Sequence, residues 1–367
     1  MTRRRLLLAA GSIVTACVIA LPLALGVRTA AQSLPTKISD QEFWKLSSEM
    51  SEPDGSFRSD NLLSNEVWLQ YVIPDLLKTA KSGRVYMGVG PEQNFAYIAA
   101  LKPAMVFIVD IRRGNLDLHL VYKALFELSA DRADFVARLF ARKRPNGLTT
   151  KSTAEEIFTA FASVEPSESL YKDNLKAIQN HLVTTHGFAL SKDDLGGIEY
   201  VYDAFTTFGP RLEYSSTGRG GFGGFRGGFG GGGRQISYGD LMTSTDADGR
   251  ARSYLANEEN FTVLKTLETN NLLVPVVGNF AGPKAIQAVG RYVKEKGATV
   301  SAFYLSNVEM YLEMDGIWDR FCANVATLPL DETSTFIRSL RGAQFGQGGF
   351  GLGSELGPMA SEVRRCR

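Results

Sequence analysis

The chain has 367 residues, with 40 basic and 39 acidic side chains, three histidines and three cysteines. A balance this close to neutral excludes a protein built to neutralise a nucleic-acid backbone. So few cysteines exclude both a disulfide-built miniature fold and a thiolate metal cluster, and the length suits one large α/β domain with insertions, or two domains.

The first 31 residues read as an export segment. Arg3-Arg4-Arg5 precedes an apolar run from Leu6 to Val27, and Thr29-Ala30-Ala31 offers small residues for cleavage. Thr2-Arg3-Arg4 before Leu6-Leu7 has the pattern of a twin-arginine signal, which moves folded proteins. Val14-Thr15-Ala16-Cys17 has the form of a lipoprotein box, but apolar residues follow it. The expectation is a periplasmic or secreted protein, with membrane contact only if the segment stays uncleaved as an anchor whose globular part faces outside. Residues 32–367 then carry 36 basic and 39 acidic side chains, a net charge of −3. Cys322 and Cys366 remain; in an oxidising compartment they pair and tie down the C-terminus, or else they stay separate thiols.

Ser39-Asp40-Gln41-Glu42 is a capping box, so a helix starts near Asp40. A second helix is expected over 65–80, broken or kinked at Pro74. Arg84–Met87 reads as a short buried strand, Gly88-Val89-Gly90 as a tight turn, and Pro91 as the first residue of a helix that Lys102-Pro103 ends. Met105–Val109 is a second buried strand ending at Asp110. Helix follows over 115–142 with a break at Ser129-Ala130-Asp131, then segments near 152–163, 168–183 and 192–206. The third strand of a doubly wound sheet is not visible between Pro145 and Asn270, and residues 218–233 form a Gly-rich loop. That loop carries two Arg-Gly-Gly units, too few arginines for an RNA-binding segment and better read as a surface insertion. Leu272–Val277 and Thr299–Leu305 restore the strand, turn, helix, strand alternation. The fold class is α/β: a doubly wound, mostly parallel sheet with a largely helical insertion. Residues 32–145 and 271–342 form its two halves, 146–270 the insertion and 343–367 a flexible Gly-rich tail.

Gly88 and Gly90 lie between a strand and a helix, where a backbone can approach a ligand and helix N–H groups face it; Glu92 and Asn94 belong to the same turn. Asp110 ends the neighbouring strand, where a carboxylate can hold both hydroxyls of a ribose. The plain alternative is a tight βα turn with a solvated aspartate. A dinucleotide fingerprint requires glycine at position 93, where Gln93 stands, so pyrophosphate binding and dehydrogenase chemistry are disfavoured. Arg112 and Arg113 either bind an anionic group or pair with local acids. Asn279 and Phe280 end another strand on the same edge; they hydrogen-bond and stack on a substrate, or Asn279 serves its own turn. Ser306-Asn307-Val308-Glu309 reads as a capping box. His119 reads as a packing residue, and His181 and His186 have no metal-ligand spacing. No residue is assigned to a metal, and hydrolase and metalloenzyme motifs are absent from the sequence.

The glycine turn and strand-end acid resemble class I S-adenosylmethionine-dependent methyltransferases. The resemblance covers about 66–142 and 270–340 and implies that Gly88, Gly90 and Asp110 form the cofactor edge. Tyr86 and Glu92 depart from the family, which often has an acid and a third glycine there. More narrowly, VGPEQNFAYIA, FIVDIRR, SYLANEENF, VVGNFAGPKA and FYLSNVEMYL resemble an uncharacterised bacterial family of this fold. The expected function is an exported methyltransferase-like domain binding S-adenosylmethionine or a related nucleoside. The alternative is a non-catalytic exported protein that binds a small ligand or a partner on a degenerate Rossmann-like scaffold. Neither reading involves nucleic acid.

Overall fold

Four of the apolar runs form parallel strands: β1 (Val85–Gly88), β2 (Met105–Asp110), β3 (Leu273–Val277) and β4 (Val300–Ser306). The computed structural model that shows this describes residues 33–217, 236–341 and 352–366. The expected export segment, the Gly-rich loop 218–233 and residues 342–351 lie outside the described residues. Every residue of β1, β2 and β3 is buried, which requires cover on both faces of the sheet. Each fully buried Val, Leu, Ile or Phe contributes roughly 1.5–3 kcal/mol, so these runs dominate the local choice of structure.

Two further strands, β5 (Thr335–Arg341) and β6 (Leu352–Pro358), complete a six-stranded sheet of order β3-β2-β1-β4-β5-β6. All neighbours pair in parallel except β6, which runs antiparallel to β5. The chain steps outward from β1 to β2 to β3, then returns to lay β4 on the other side of β1. The order therefore reverses between β1 and β4, the place where open α/β sheets form a ligand crevice. This is a mostly parallel α/β sheet with a Rossmann-like strand order.

The helices follow in chain order: α1 (Asp40–Met50), α2 (Ile73–Thr79), α3 (Gln93–Leu101), α4 (Arg113–Leu128), α5 (Arg132–Leu139), α6 (Ala154–Phe161), α7 (Glu168–Asn180), α8 (Lys192–Phe208), α9 (Tyr238–Thr243), α10 (Glu258–Thr269), α11 (Ala285–Glu295), α12 (Val308–Met314), α13 (Trp318–Val325) and α14 (Met359–Val363). Ser39 caps α1 by accepting from the Glu42 N–H at 3.1 Å. The span 65–80 is shorter than expected: a 3-10 turn (Leu69–Val72) leads into α2, with Pro74 in its first turn. The helix after the glycine turn starts at Gln93, not Pro91. Asp131 breaks the 115–142 helix by capping α5 through the Asp134 N–H.

The missing third strand is β3 itself. It pairs with β2 from Val106↔Leu273 to Asp110↔Val277, so the helical insertion is one long crossover between adjacent strands. The helix α4 at its root packs against β2, β3, α8 and α10, and the described residues form one compact unit.

The flexible tail is corrected. Residues 352–358 form β6, and α14 follows it; Cys366 forms a disulfide with Cys322 of α13, with Cα atoms 5.6 Å apart. At the other end of the sheet, the open edge of β3 is covered by α1. The Ser47 hydroxyl donates to the Pro275 carbonyl at 2.7 Å, the Val277 N–H donates to Ser51 Oγ at 2.9 Å, and the Glu52 N–H donates to the Val277 carbonyl at 2.8 Å.

Candidate functional site

Gly90 has φ +74°, the left-handed region that favours glycine. Gly88 is required for a different reason. A Cβ there lies 1.8 Å from Asn94 Oδ1. The buried Asn94 side chain fastens the turn: its Nδ2 donates to the carbonyls of Val89 (2.9 Å) and Pro91 (2.7 Å), and its Oδ1 accepts from the Tyr86 hydroxyl at 2.9 Å. The glycine expected to admit a ligand instead admits the protein's own amide. Gly90 differs, since it is buried and no heavy atom outside residues 89–91 lies within 4 Å of the position its Cβ would take.

Asp110 stands at the carboxyl end of β2, next to the turn, but its carboxylate is engaged. Oδ1 accepts from the Arg112 N–H (2.9 Å) and Nε (3.1 Å), and Oδ2 from Arg112 Nη2 (3.3 Å). Arg112 Nη1 in turn donates to the Asp60 carbonyl. Arg113 Nε donates to Asp194 Oδ1 at 2.7 Å. Both arginines therefore pair within the chain rather than face a ligand. Asn279 serves its own turn, with Oδ1 accepting from the Ala281 N–H at 2.9 Å. Phe280 is not a stacking platform: it is 4% exposed and packs against Phe303 and Phe321, at ring-centroid distances of 5.3 and 5.8 Å.

The carboxyl edge of the sheet carries a feature that the sequence reading did not include. Residues 51–68 run across the strand ends in spatial order. At β3, Glu52 Oε2 accepts from the Asn279 N–H, and its Oε1 accepts from the N–H groups of Lys284 (2.8 Å) and Ala285 (2.9 Å). A protein carboxylate thus occupies the anion-binding end of α11. At β2, the Gly55 N–H donates to the Ile111 carbonyl at 2.9 Å and Asp54 accepts from the Arg113 N–H at 2.6 Å. At β1, the Ser64 N–H donates to Glu92 Oε1 at 3.1 Å and its hydroxyl donates to Gln93. At the switch point, Glu66 accepts from Gln93 Nε2 (2.7 Å), the Tyr304 hydroxyl (2.7 Å) and the Ser306 hydroxyl (2.8 Å). Burial pushes the Glu66 carboxyl up from its ordinary value, and these hydrogen bonds oppose the shift.

Ser306 holds a φ of +51° while donating to Glu66, and α12 starts without a side-chain cap. The capping box expected at 306–309 is therefore not formed, and Glu309 pairs with Arg338 instead. The crevice of an open α/β sheet is here closed by an intramolecular strap. The groups that S-adenosylmethionine requires do not fit it in this arrangement, because Asp110, the flank of Gly88 and the switch point are taken by Arg112, Asn94 and Glu66.

The buried side-chain atoms without hydrogen-bond partners include Glu92 Oε2, two residues beyond Gly90, and Asn115 Oδ1 and His119 Nδ1 on α4. Asn115 and His119 are four residues apart and share one face of α4. His119 Nε2 lies 2.9 Å from the Gly90 carbonyl. Burial holds the imidazole neutral, down to about 4, so Nε2–H donates to Gly90 and Nδ1 presents a lone pair. Burial pushes Glu92 up to about 8, which keeps it protonated at neutral pH. His119 is thus more than the packing residue read from the sequence.

Residues 62–188 and 236–354 match a family model described as a domain of unknown function (DUF7790). The chain belongs to that family. No curated protein matches it significantly. In this DUF7790 chain the matched residues include the end of the strap from residue 62, the glycine turn and α4.

A cleft of about 710 Å³ lies at the opposite, amino end of the strands, lined by Pro35, Pro103, Val263 and Leu267 among others. Elsewhere, Glu127 from the last turn of α4 meets His181 and His186, and the three could hold a metal ion. The sequence hid this cluster, since Glu127 is 54 residues from His181 and the five-residue spacing of the histidines is not an α-helical repeat.

Proposed function

We propose that this chain is a non-catalytic ligand-binding protein, working outside the cytoplasm, on a Rossmann-like scaffold whose crevice is closed by its own residues 51–68. The observation that carries this reading is Glu66 at the switch point, held by Gln93, Tyr304 and Ser306 where a cofactor of this fold class would lie. The ligand it takes is a small uncharged molecule rich in N–H and O–H groups, such as a nucleoside. Asn115 Oδ1 and His119 Nδ1 accept, protonated Glu92 donates, and the free flank of Gly90 gives room. A phosphate is disfavoured, because Arg112 and Arg113 are already paired. Placement outside the cytoplasm is supported by the Cys322–Cys366 disulfide and by the residue pattern of 1–31.

A second reading keeps S-adenosylmethionine as the ligand. It is favoured by the open flank of Gly90 beside an acid-ended strand, and it requires the strap to move away. One experiment separates the two: calorimetric titration of the purified protein with S-adenosylmethionine and S-adenosylhomocysteine, beside mass spectrometry of small molecules released on denaturation. The first reading expects no heat from either titrant at micromolar sensitivity, and an uncharged, hydrogen-bonding compound in the released fraction. Micromolar binding of S-adenosylmethionine overturns it in favour of the second.

A further inference from the structure

The helix α7 does not end as an α-helix. Residues His181–Thr185 continue it as a π turn, with the His186 N–H donating to the His181 carbonyl at 3.0 Å. A π turn aligns residues five apart, and such turns concentrate at functional sites. His181 and His186 therefore face the same way, their ring centroids 4.7 Å apart. Glu127 Oε2 lies 2.7 Å from His181 Nε2 and 2.8 Å from His186 Nε2. Lys123 Nζ holds the other oxygen, Oε1, at 2.7 Å, which leaves Oε2 aimed at the histidines.

The surroundings orient the imidazole. His186 Nδ1 lies 2.7 Å from Asp40 Oδ1, and the ring stacks on Phe188 at 4.9 Å. A carboxylate on one ring nitrogen places the proton there and leaves the lone pair on the other, the arrangement that carboxylates give to metal-binding histidines. Nε2 in turn lies 2.8 Å from a carboxylate oxygen of Glu127, a contact that either a proton or a metal ion between the two atoms satisfies.

We propose that Glu127, His181 and His186 form a binding site for a divalent transition ion, zinc by ligand type, with Asp40 orienting His186. Two imidazole nitrogens and one carboxylate oxygen are the donor set of zinc sites that keep a fourth position for water. All three donor atoms lie within 4.8 Å of one another. His181 is 18% exposed and Glu127 and His186 are each 9% exposed, so the cluster is sheltered yet reachable from solvent. Charge agrees as well. Asp40 and Glu127 outnumber the cation Lys123 beside them, while burial pushes Glu268 up to about 8 and leaves it protonated at neutral pH.

The test uses the chain without a histidine tag, treated with chelator and dialysed. It is titrated with Zn²⁺ by calorimetry and with Co²⁺ by visible absorption. The expected result is one equivalent bound with micromolar or tighter affinity, with the intense d–d bands of a low-coordinate cobalt site. His181→Gln and His186→Gln each weaken binding at least tenfold, and Asp40→Asn weakens it about 10–100-fold, with circular dichroism confirming that the variants fold. Absence of binding in the unmodified chain overturns the proposal, and so does equal affinity in a folded H181Q/H186Q double variant. In either case the cluster is held by protons alone.

Discussion

Glu92 shows how one side chain links the strap to the turn. Its Oε1 accepts from Ser64 of the strap, and burial raises the carboxyl to about 8 from an ordinary value of 4.5. A proton held more tightly in the folded than in the unfolded chain stabilises at low pH. That contribution is lost as pH rises from about 4.5 toward about 8, at about 1.4 kcal/mol per pH unit. Glu92→Gln keeps an acceptor for Ser64 and removes the titration. Urea unfolding between about pH 5 and pH 8 should therefore show a stability that falls less steeply in the variant, by about 1.4 kcal/mol per pH unit. Parallel slopes would refute the assignment. Residues of this kind were half legible. Glycine at 90 could be read from its neighbours, because the turn alone demands it. Asn94 and Phe280 are engaged within the fold by Tyr86 and Phe303, and Arg112 pairs with Asp110, the local-acid alternative that the sequence offers.

Among the elements, the strap is the least readable and the most consequential. Its sequence, Ser-Glu-Pro-Asp-Gly-Ser, has the composition of a solvated linker, and its order comes from distant partners. Gly55 is where it seats on β2. A Cβ there lies 2.5 Å from Ile111 Cγ1 and 3.1 Å from the Ile111 carbonyl oxygen. Gly55→Val should lift the strap locally, cost about 1–3 kcal/mol of stability and make residues 51–68 the first site of limited proteolysis. Wild-type resistance at that site would argue that the strap seats some other way. The strands were legible where burial is continuous, as in Met105–Asp110. They were not where it is mixed: Thr335–Arg341 mixes apolar and polar residues without regular alternation, and Leu352–Pro358 contains two glycines. Residues 352–358 looked unstructured because their order depends on pairing with β5.

At the level of the whole molecule, the Cys322–Cys366 bridge closes 44 residues around β5, β6 and α14. A bridge of that span typically contributes about 2–4 kcal/mol. The double variant C322S/C366S should lose that amount in urea unfolding and show faster amide exchange across 352–366. Unchanged stability would mean that β6 holds itself in place. The α/β class and the reversal of strand order follow from alternating apolar strands and amphipathic helices, patterns that are local and therefore visible. How the crevice is closed is a long-range property, set by strap side chains such as Glu66, whose partners Gln93 and Ser306 lie 27 and 240 residues away.

That separation has a kinetic side. Glu66 meets Tyr304 and Ser306 across 238 and 240 residues. A nascent chain emerging from the ribosome makes Glu66 long before it makes either hydroxyl. The contacts of Glu66 with β4 accordingly become available during synthesis only after those of Ser64 with Glu92 and of Gly55 with Ile111.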